Sequence, residues 1–287
     1  VQEIAPRTTA ALERIFAAMD LPVRAALDLG AGTGAAGDAV RARFGSQVAV
    51  VGIDRVPAPG LLTADLSRQE ALHALLGGRL FELIVAAHLL NELGLSIEAT
   101  AKLVTAWGRH LAPGGRIVIV EPALHATSRD LLQVRDVLLG CQGSPAAFFV
   151  QAPCLWQKAC PALARERDWC HDAAPVPKDA RLRVRRVDFS YLVLGRAQDG
   201  AAPAPAPDRF RVVSDVRREK GRTRLWGCGP GGRHDLVLQT RDETPLNAAF
   251  CAADRGGLVR ISGTRSAGDG LRLGPESTVE NLPPHTD

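Results

Sequence analysis

No stretch of the sequence approaches the roughly 18 consecutive apolar residues that a bilayer span requires. The 46% of apolar residues are therefore expected to build the core of a soluble globular chain with no membrane partner. No charged-then-apolar leader is found at its start. No two cysteines have the tight Cys-x2–4-Cys spacing of the common structural zinc knuckle. Six cysteines without a leader imply a reducing compartment, the cytoplasm by default, where clustered thiols bind metal more often than they form disulfides. Residues 1–150 hold 13 Lys and Arg against 14 Asp and Glu, whereas residues 151–287 hold 22 against 17. The positive excess lies in the second half, and on charge alone it suits RNA contact and a solvated surface equally well.

What is present first is alternation. Arg7 to Met19 has the periodicity of an amphipathic helix. Apolar runs at Ala25–Leu29, Gln47–Ile53, Leu61–Ala64, Phe81–Ala87 and Arg116–Val120 alternate with helical patterns at Ala31–Phe44, Arg68–Leu76, Ile97–Leu111 and Thr127–Leu139. Ser128 is placed to help start the last of these. Such alternation predicts an α/β fold with a mainly parallel sheet. The pattern then lapses into an aperiodic cysteine loop, residues 153–177, and returns to strand character at Arg183–Leu194. The expected organisation is a core over 1–196, an Ala/Pro linker over 197–208, a small β lobe over 209–265 built as a meander of short strands, and a disordered tail over 266–287.

Asp28-Leu29-Gly30-Ala31-Gly32-Thr33-Gly34 lies where a strand turns into a helix, so a ligand can approach the backbone and meet the helix amides. With Ala35 the run also satisfies the dinucleotide pattern G-x-G-x-x-G/A, and Asp54, some twenty residues on, suits a ribose in either case. Asp28, expected at the mouth of the loop, suits a cationic sulfonium ligand with an ammonium group better than a pyrophosphate. The stretch Leu111–Glu121 resembles the fifth-strand entry of class I methyltransferases. S-adenosylmethionine is thus the expected cofactor, with Gly30, Ala31, Gly32 and Gly34 forming the loop; the resemblance to class I methyltransferases implies Asp54 on the ribose hydroxyls and Asp65 near the adenine amine.

The chemistry of transfer is less marked. The D/N-P-P-aromatic run of amino-group methyltransferases is missing after the fourth strand, where the sequence reads Ala87-His88-Leu89-Leu90-Asn91-Glu92-Leu93. Pro153-Cys154 has the look of a base-carbon methyltransferase nucleophile but follows the fifth strand. The candidate general bases are His88, Glu92 and Glu121, each of which has a purely structural alternative.

Cys154, Cys160 and Cys170 fall in one Pro-flanked aperiodic stretch, and Cys228 follows after a gap of 57 residues in a turn, Gly227-Cys228-Gly229-Pro230. By spacing, such thiolates suit an iron–sulfur cluster or zinc, the latter with His171 in place of one thiolate. Cys141 and Cys251 read as buried structural thiols.

The glycine loop, the run Ala87–Leu93, Glu121-Pro122-Ala123 with Thr127-Ser128-Arg129, the four cysteines and Phe189-Ser190-Tyr191-Leu192-Val193-Leu194 together resemble the methyltransferase-like assembly factors of the small ribosomal subunit, known from mitochondria and bacteria. The resemblance covers about residues 5 to 262. It implies a class I methyltransferase (Rossmann-like) core with a metal-binding cysteine loop and a small C-terminal β lobe. It also implies an S-adenosylmethionine pocket, a [4Fe–4S] cluster on Cys154, Cys160, Cys170 and Cys228, and contact with small-subunit ribosomal RNA and ribosome assembly intermediates. Arg181, Arg183 and Arg185 in one row, and Arg217, Arg218, Lys220, Arg222 and Arg224 around a turn, are the segments expected to meet phosphates. The competing expectation is a zinc-stabilised methyltransferase acting on a small molecule or protein.

Overall fold

The computed structural model describes residues 4–143, 145–176, 184–201, 206–268 and 270–283. Its elements are, in chain order, α1 (Ile4–Ala17), β1 (Ala25–Leu29), α2 (Ala35–Phe44), β2 (Ala49–Asp54), β3 (Leu61–Thr63), α3 (Gln69–Leu76), β4 (Phe81–Ala87), α4 (Leu90–Leu93), α5 (Ile97–Trp107), β5 (Leu111–Pro122) and α6 (His125–Leu138). There follow β6 (Phe148–Ala152), β7 (Asp172–Pro175), β8 (Arg186–Arg196), β9 (Arg209–Val212), β10 (Arg217–Glu219), β11 (Arg222–Gly229), β12 (Gly232–Gln239), β13 (Leu258–Ser262), β14 (Arg265–Ala267), β15 (Gly270–Leu273) and β16 (Thr278–Leu282).

The first sheet has the order β3-β2-β1-β4-β5-β8-β6, with β7 also on β8. β1 to β5 pair in parallel, and β8 runs antiparallel to β5. Its central strands read as continuous apolar runs because both faces are covered. Leu83 and Val85 of β4 pack with Leu12, Ile15 and Phe16 of α1 and Val40 of α2. Their neighbours Ile84 and Ala86 point the other way, toward Leu72 of α3, Val104 and Trp107 of α5 and Leu131 of α6. Within β5 the run Pro113-Gly114-Gly115 is absorbed as an irregularity: Phe81 pairs with Leu111, but Leu83 pairs with Arg116.

The second sheet has the order β14-β15-β12-β11-β9-β13-β16, with β10 on β11. It is not the expected meander, because β9 lies between β11 and β13 and β15 runs parallel to β12. Its core, around Leu225, Leu236, Leu238, Phe250, Ile261 and Leu273, is separate from that of the first sheet.

Other expectations need correction. The stretch 266–287, polar and Gly/Pro-rich enough to read as disordered, supplies most of β14 and all of β15 and β16. Sparse apolar residues suffice there because Leu273 and Val279 each meet the core of a sheet already formed. Ser128 does not cap α6; it is buried, and its hydroxyl meets that of Ser190 at 2.7 Å. The cysteine loop is more regular than its sequence, with a 3-10 turn at Pro161–Ala164 and β7 paired to β8. Pro177, Arg181, Arg183 and linker residues 202–205 lie outside the described residues.

Candidate cofactor cleft and cysteine centre

A cleft of about 630 Å³ opens at the C-terminal ends of the parallel strands, within the size range of small-molecule sites. Gly30, Ala31 and Gly32 line it from the β1–α2 turn, and Asp54 lines it from the end of β2. Gly30 has φ 72°, and a Cβ there would come 3.1 Å from Leu89 Cδ1, so both backbone and space call for glycine. Asp54 organises the turn: its Oδ2 accepts from Gly32 N at 2.8 Å and its Oδ1 from Val56 N at 2.9 Å. Asp65 also lines the cleft and accepts from Ser67 N and Ser67 Oγ. Those bonds hold its carboxyl below the usual range.

Asp28 is not at the mouth. It lies beneath the loop, 3% exposed, and its Oδ2 accepts from Gly37 N at 3.0 Å in the first turns of α2. Burial raises its pKa to about 6, against the opposing Gly37 bond, with Asp54 adding to the rise. Gly34, with φ 82°, precedes α2 as its N-cap; neither it nor Asp28 lines the cleft, whose wall is formed by their neighbours.

The segment after β4 separates the three candidate bases. His88 and Glu92 face the cleft, and burial holds the His88 imidazole below its ordinary pKa. His88 adopts φ 58°, a left-handed conformation rare outside glycine, and its N–H donates to Val120 O at 2.7 Å. Glu121 is 1% exposed and is absent from the lining. Its carboxylate accepts from the N–H of Leu90 at 2.8 Å. With the Asn91 amide turned so that nitrogen faces Glu121, that side chain donates to Oε2 at 2.7 Å and to His88 O at 3.0 Å. Burial nevertheless lifts Glu121 to about 7. Its geometry is that of a loop anchor.

The cysteines are organised from α6, which carries two arginines turned into the loop. Arg129 donates to the carbonyls of Ala162, Arg165 and Asp168, the last at 2.6 Å. Arg135, 1% exposed, donates to the carbonyls of Trp156 and Lys158 and pairs with Asp136. Asp136 in turn accepts from Cys160 N at 2.8 Å. The Gln157 amide pairs with the backbone of Val150 in β6, and Ser190 Oγ donates to Cys170 O at 3.0 Å.

From the other lobe, Cys228 on β11 stands opposite Arg233 of β12 and Arg211 of β9. Arg233 pairs with Asp168 at 3.2 Å. Arg211 pairs with Asp172 and donates to Tyr191 Oη at 2.9 Å. Burial, then the other thiols, push Cys160 up to about 12. Cys170 is pushed up to about 11 by burial and then by Cys154, and Cys228 is raised by burial and by all three others. The four thiols thus share one neighbourhood built from both lobes. Among the described residues no three His, Cys, Asp or Glu side chains are grouped tightly enough to hold a single metal ion. His171, the alternative ligand, stacks on Trp169 with ring centroids 4.3 Å apart. Cys141 and Cys251 stand apart in weak contacts with Gln157 O and Thr223 Oγ1.

Sequence reasoning passed over Arg129, Arg135, Arg211 and Arg233 as members of this centre. It also passed over Arg7 and Thr8 of α1, which line the cleft. The only local signal was the pair of arginines six apart on one helix, which on a solvated face would look the same.

A seven-strand order of 3-2-1-4-5-8-6, in which the antiparallel β8 is inserted between the fifth strand and the edge strand β6, with a glycine turn after the first strand and an acidic residue ending the second, defines the class I methyltransferase fold. Residues 8–256 match the family described as mitochondrial small ribosomal subunit Rsm22, and the chain belongs to that family. Among solved structures it is similar to TrmN from Thermus thermophilus, at 17% identity over 66% of this chain and 48% of that one, with TM-score 0.37. It is similar also to a TehB-like SAM-dependent methyltransferase from Corynebacterium glutamicum, at 18% identity over 66% and 87%, TM-score 0.37. A third is the mitomycin 7-O-methyltransferase MmcR, at 14% identity over 66% and 54%, TM-score 0.40. The chain spans about half the length of TrmN and of MmcR. No curated protein matches it.

Proposed function

We propose that this chain binds S-adenosylmethionine in the cleft, carries a [4Fe–4S] cluster on Cys154, Cys160, Cys170 and Cys228, and acts on or assembles the small ribosomal subunit through contact with its RNA. The observation that carries the reading is the convergence of four thiols from two lobes in a chain of the Rsm22 family that also holds a cofactor-type cleft. The donor set fits a polynuclear cluster. Four thiols that share a neighbourhood are a donor set that a cluster held by four cysteines can use. Two buried guanidinium nitrogens, Nε of Arg135 and Nε of Arg233, have no hydrogen-bond partner. Both belong to arginines that act electrostatically on these cysteines, and cluster sulfides would give them acceptors. The cluster, when bound, supplies a covalent joint between the lobes.

In the cleft, Asp54 would exchange its bond to Gly32 N for ribose hydroxyls, and Asp65 would approach the adenine amine. Asp28 acts from below, holding α2 so that its amides face the ligand. At the target end Glu121 is committed to the backbone, which leaves His88 and Glu92 facing the substrate side. That division favours a factor that uses its cofactors to hold a shape over one built chiefly for catalysis. Anaerobic purification tests the reading. Broad visible absorbance with iron and sulfide in near-equal amounts, together with tighter binding of S-adenosylhomocysteine than of NAD, is expected. A colourless protein holding zinc would move the assignment to a zinc-stabilised methyltransferase. Radiolabelled methyl transfer to immature small subunits separates an enzyme from an assembly factor.

A further inference from the structure

The second sheet has one face on its own core and one face turned outward. Thr223, Leu225 and Gly227 of β11 and Leu236 and Leu238 of β12 are buried on the core side. The alternate residues Arg222, Arg224, Trp226 and Cys228 therefore share the outward face. In register across five strands, that face carries Arg265 of β14, Arg272 of β15, Val237 of β12, Arg224 of β11 and Arg217 of β10. At about 4.8 Å between strands, the row is about 19 Å long. Arg222 stands one row further, between Gln239 and Glu219.

Carboxylates orient this row without cancelling it. Glu219 holds Arg222 at 2.6 Å and Arg224 at 3.5 Å, Asp235 holds Arg224, and Asp242 holds Arg272 at 3.1 Å. Five arginines thus face three carboxylates, and Arg217 and Arg265 are exposed at the two ends. The large exposed apolar side chains among the described residues, such as Val56, Leu80, Leu124 and Leu246, lie elsewhere. A membrane-binding face would need such groups to insert between lipids. Guanidinium forks fixed in a line on a rigid sheet suit a phosphodiester backbone.

We propose that this outward row, Arg217, Arg224, Arg272 and Arg265 with Arg222 beside it, is the surface that tracks the phosphate backbone of RNA. The inference rests on the RNA-contact reading above and assigns that contact to the C-terminal sheet. Toward its other end the same face bears Cys228 between Arg211 and Arg233, where Pro161 of the cysteine segment approaches Gly232. The cysteine centre therefore seats the sheet that presents the row.

The test is fluorescence anisotropy of a labelled small-subunit ribosomal RNA fragment with the full chain, titrated at several KCl concentrations. The double variant Arg217→Glu/Arg265→Glu should bind at least about 10-fold more weakly near 0.1 M salt, with the log–log salt slope reduced by about 2. S-adenosylhomocysteine binding and the unfolding midpoint, read on the same samples, should be unchanged. Arg217→Gln/Arg265→Gln, which adds no carboxylate, should show an intermediate loss. Salt-sensitive wild-type binding with both variants matching it would overturn this assignment alone. Wild-type protein that binds no RNA would overturn the RNA-contact reading as well. Binding to phosphatidylserine vesicles in place of RNA, lost in the double variant, would reassign the row to a membrane surface.

Discussion

Glu121 at the end of β5 accepts a hydrogen bond from the N–H of Leu90 at the start of α4, 2.8 Å away and shielded from solvent. A carboxylate held by backbone donors ordinarily titrates low. Here burial outweighs those donors, and the group is lifted from 4.5 to about 7. The stability that protonated Glu121 contributes is complete below pH 4.5 and is lost as pH rises through about 7. Comparing wild type with Glu121→Gln by urea denaturation isolates this group from Asp28, which shifts in the same sense. The wild type should lose about 3 kcal/mol relative to the variant between pH 4.5 and pH 8, at about 1.36 kcal/mol per unit. A difference that does not vary with pH would refute the assignment.

Asp172 joins three parts of the molecule. It is 3% exposed, pairs with Arg14 of α1 and Arg211 of β9, and sits so close to Gly256 that a Cβ there would fall 1.8 Å from its Oδ1. Asp172→Ala leaves the buried Arg211 without its counter-charge and should cost roughly 3–5 kcal/mol. Gly256→Ala should destabilise through both the clash and its φ of 79°. Once Asp172 is gone the clash disappears and only the backbone strain remains. The double mutant should therefore be more stable than the sum of the single changes by about 1 kcal/mol or more. Strict additivity in denaturant titrations would show that the contact is not made.

Arg135 should matter more than any surface arginine. Arg135→Ala removes the donors to Trp156 O and Lys158 O and leaves Asp136 without its cation. A loss of roughly 3–5 kcal/mol is expected, and it should begin locally. Limited proteolysis should open the chain between Cys154 and Cys170 before it touches β1 to β5. Uniform loss of protection in both regions would contradict this order.

The parts of the fold that were legible in the sequence are those where neighbours in the chain are neighbours in space. The apolar runs of β1 and β4, the glycine turn after Leu29 and the acidic end of β2 all declare themselves locally. What was hidden depends on register. Arg272 looks like a residue of a polar tail, and Arg265 like the last residue of the lobe, until β14 and β15 place them in one row with Arg224. Cys228 was legible as a candidate ligand, but not its neighbours Arg211 and Arg233, which β9 and β12 set on either side of it. Arg135 is buried because the cysteine loop folds over it, a fact that the periodicity of α6 cannot carry. Asp28 was misplaced for a related reason. Its position in sequence puts it at the loop, but its side chain alternates inward from the strand and meets Gly37 N instead.

Asp54 tests the cleft without disturbing the cysteine centre. Both of its oxygens already accept backbone hydrogen bonds, from Gly32 N and Val56 N, so the ligand meets a carboxylate that is positioned before binding. Hydrogen bonds to a charged acceptor contribute about 1.5–3 kcal/mol. Asp54→Ala should therefore weaken S-adenosylhomocysteine binding by about 10- to 150-fold in isothermal titration. Asp54→Asn keeps one acceptor oxygen, so it can still fasten the turn or meet the ribose but not both, and its loss should be smaller. The two variants should differ little in unfolding, because Asp54 is only partly buried. Affinity that survives both changes would mean that the acidic end of β2 does not hold the ligand, and the cofactor reading of the cleft would fail with it.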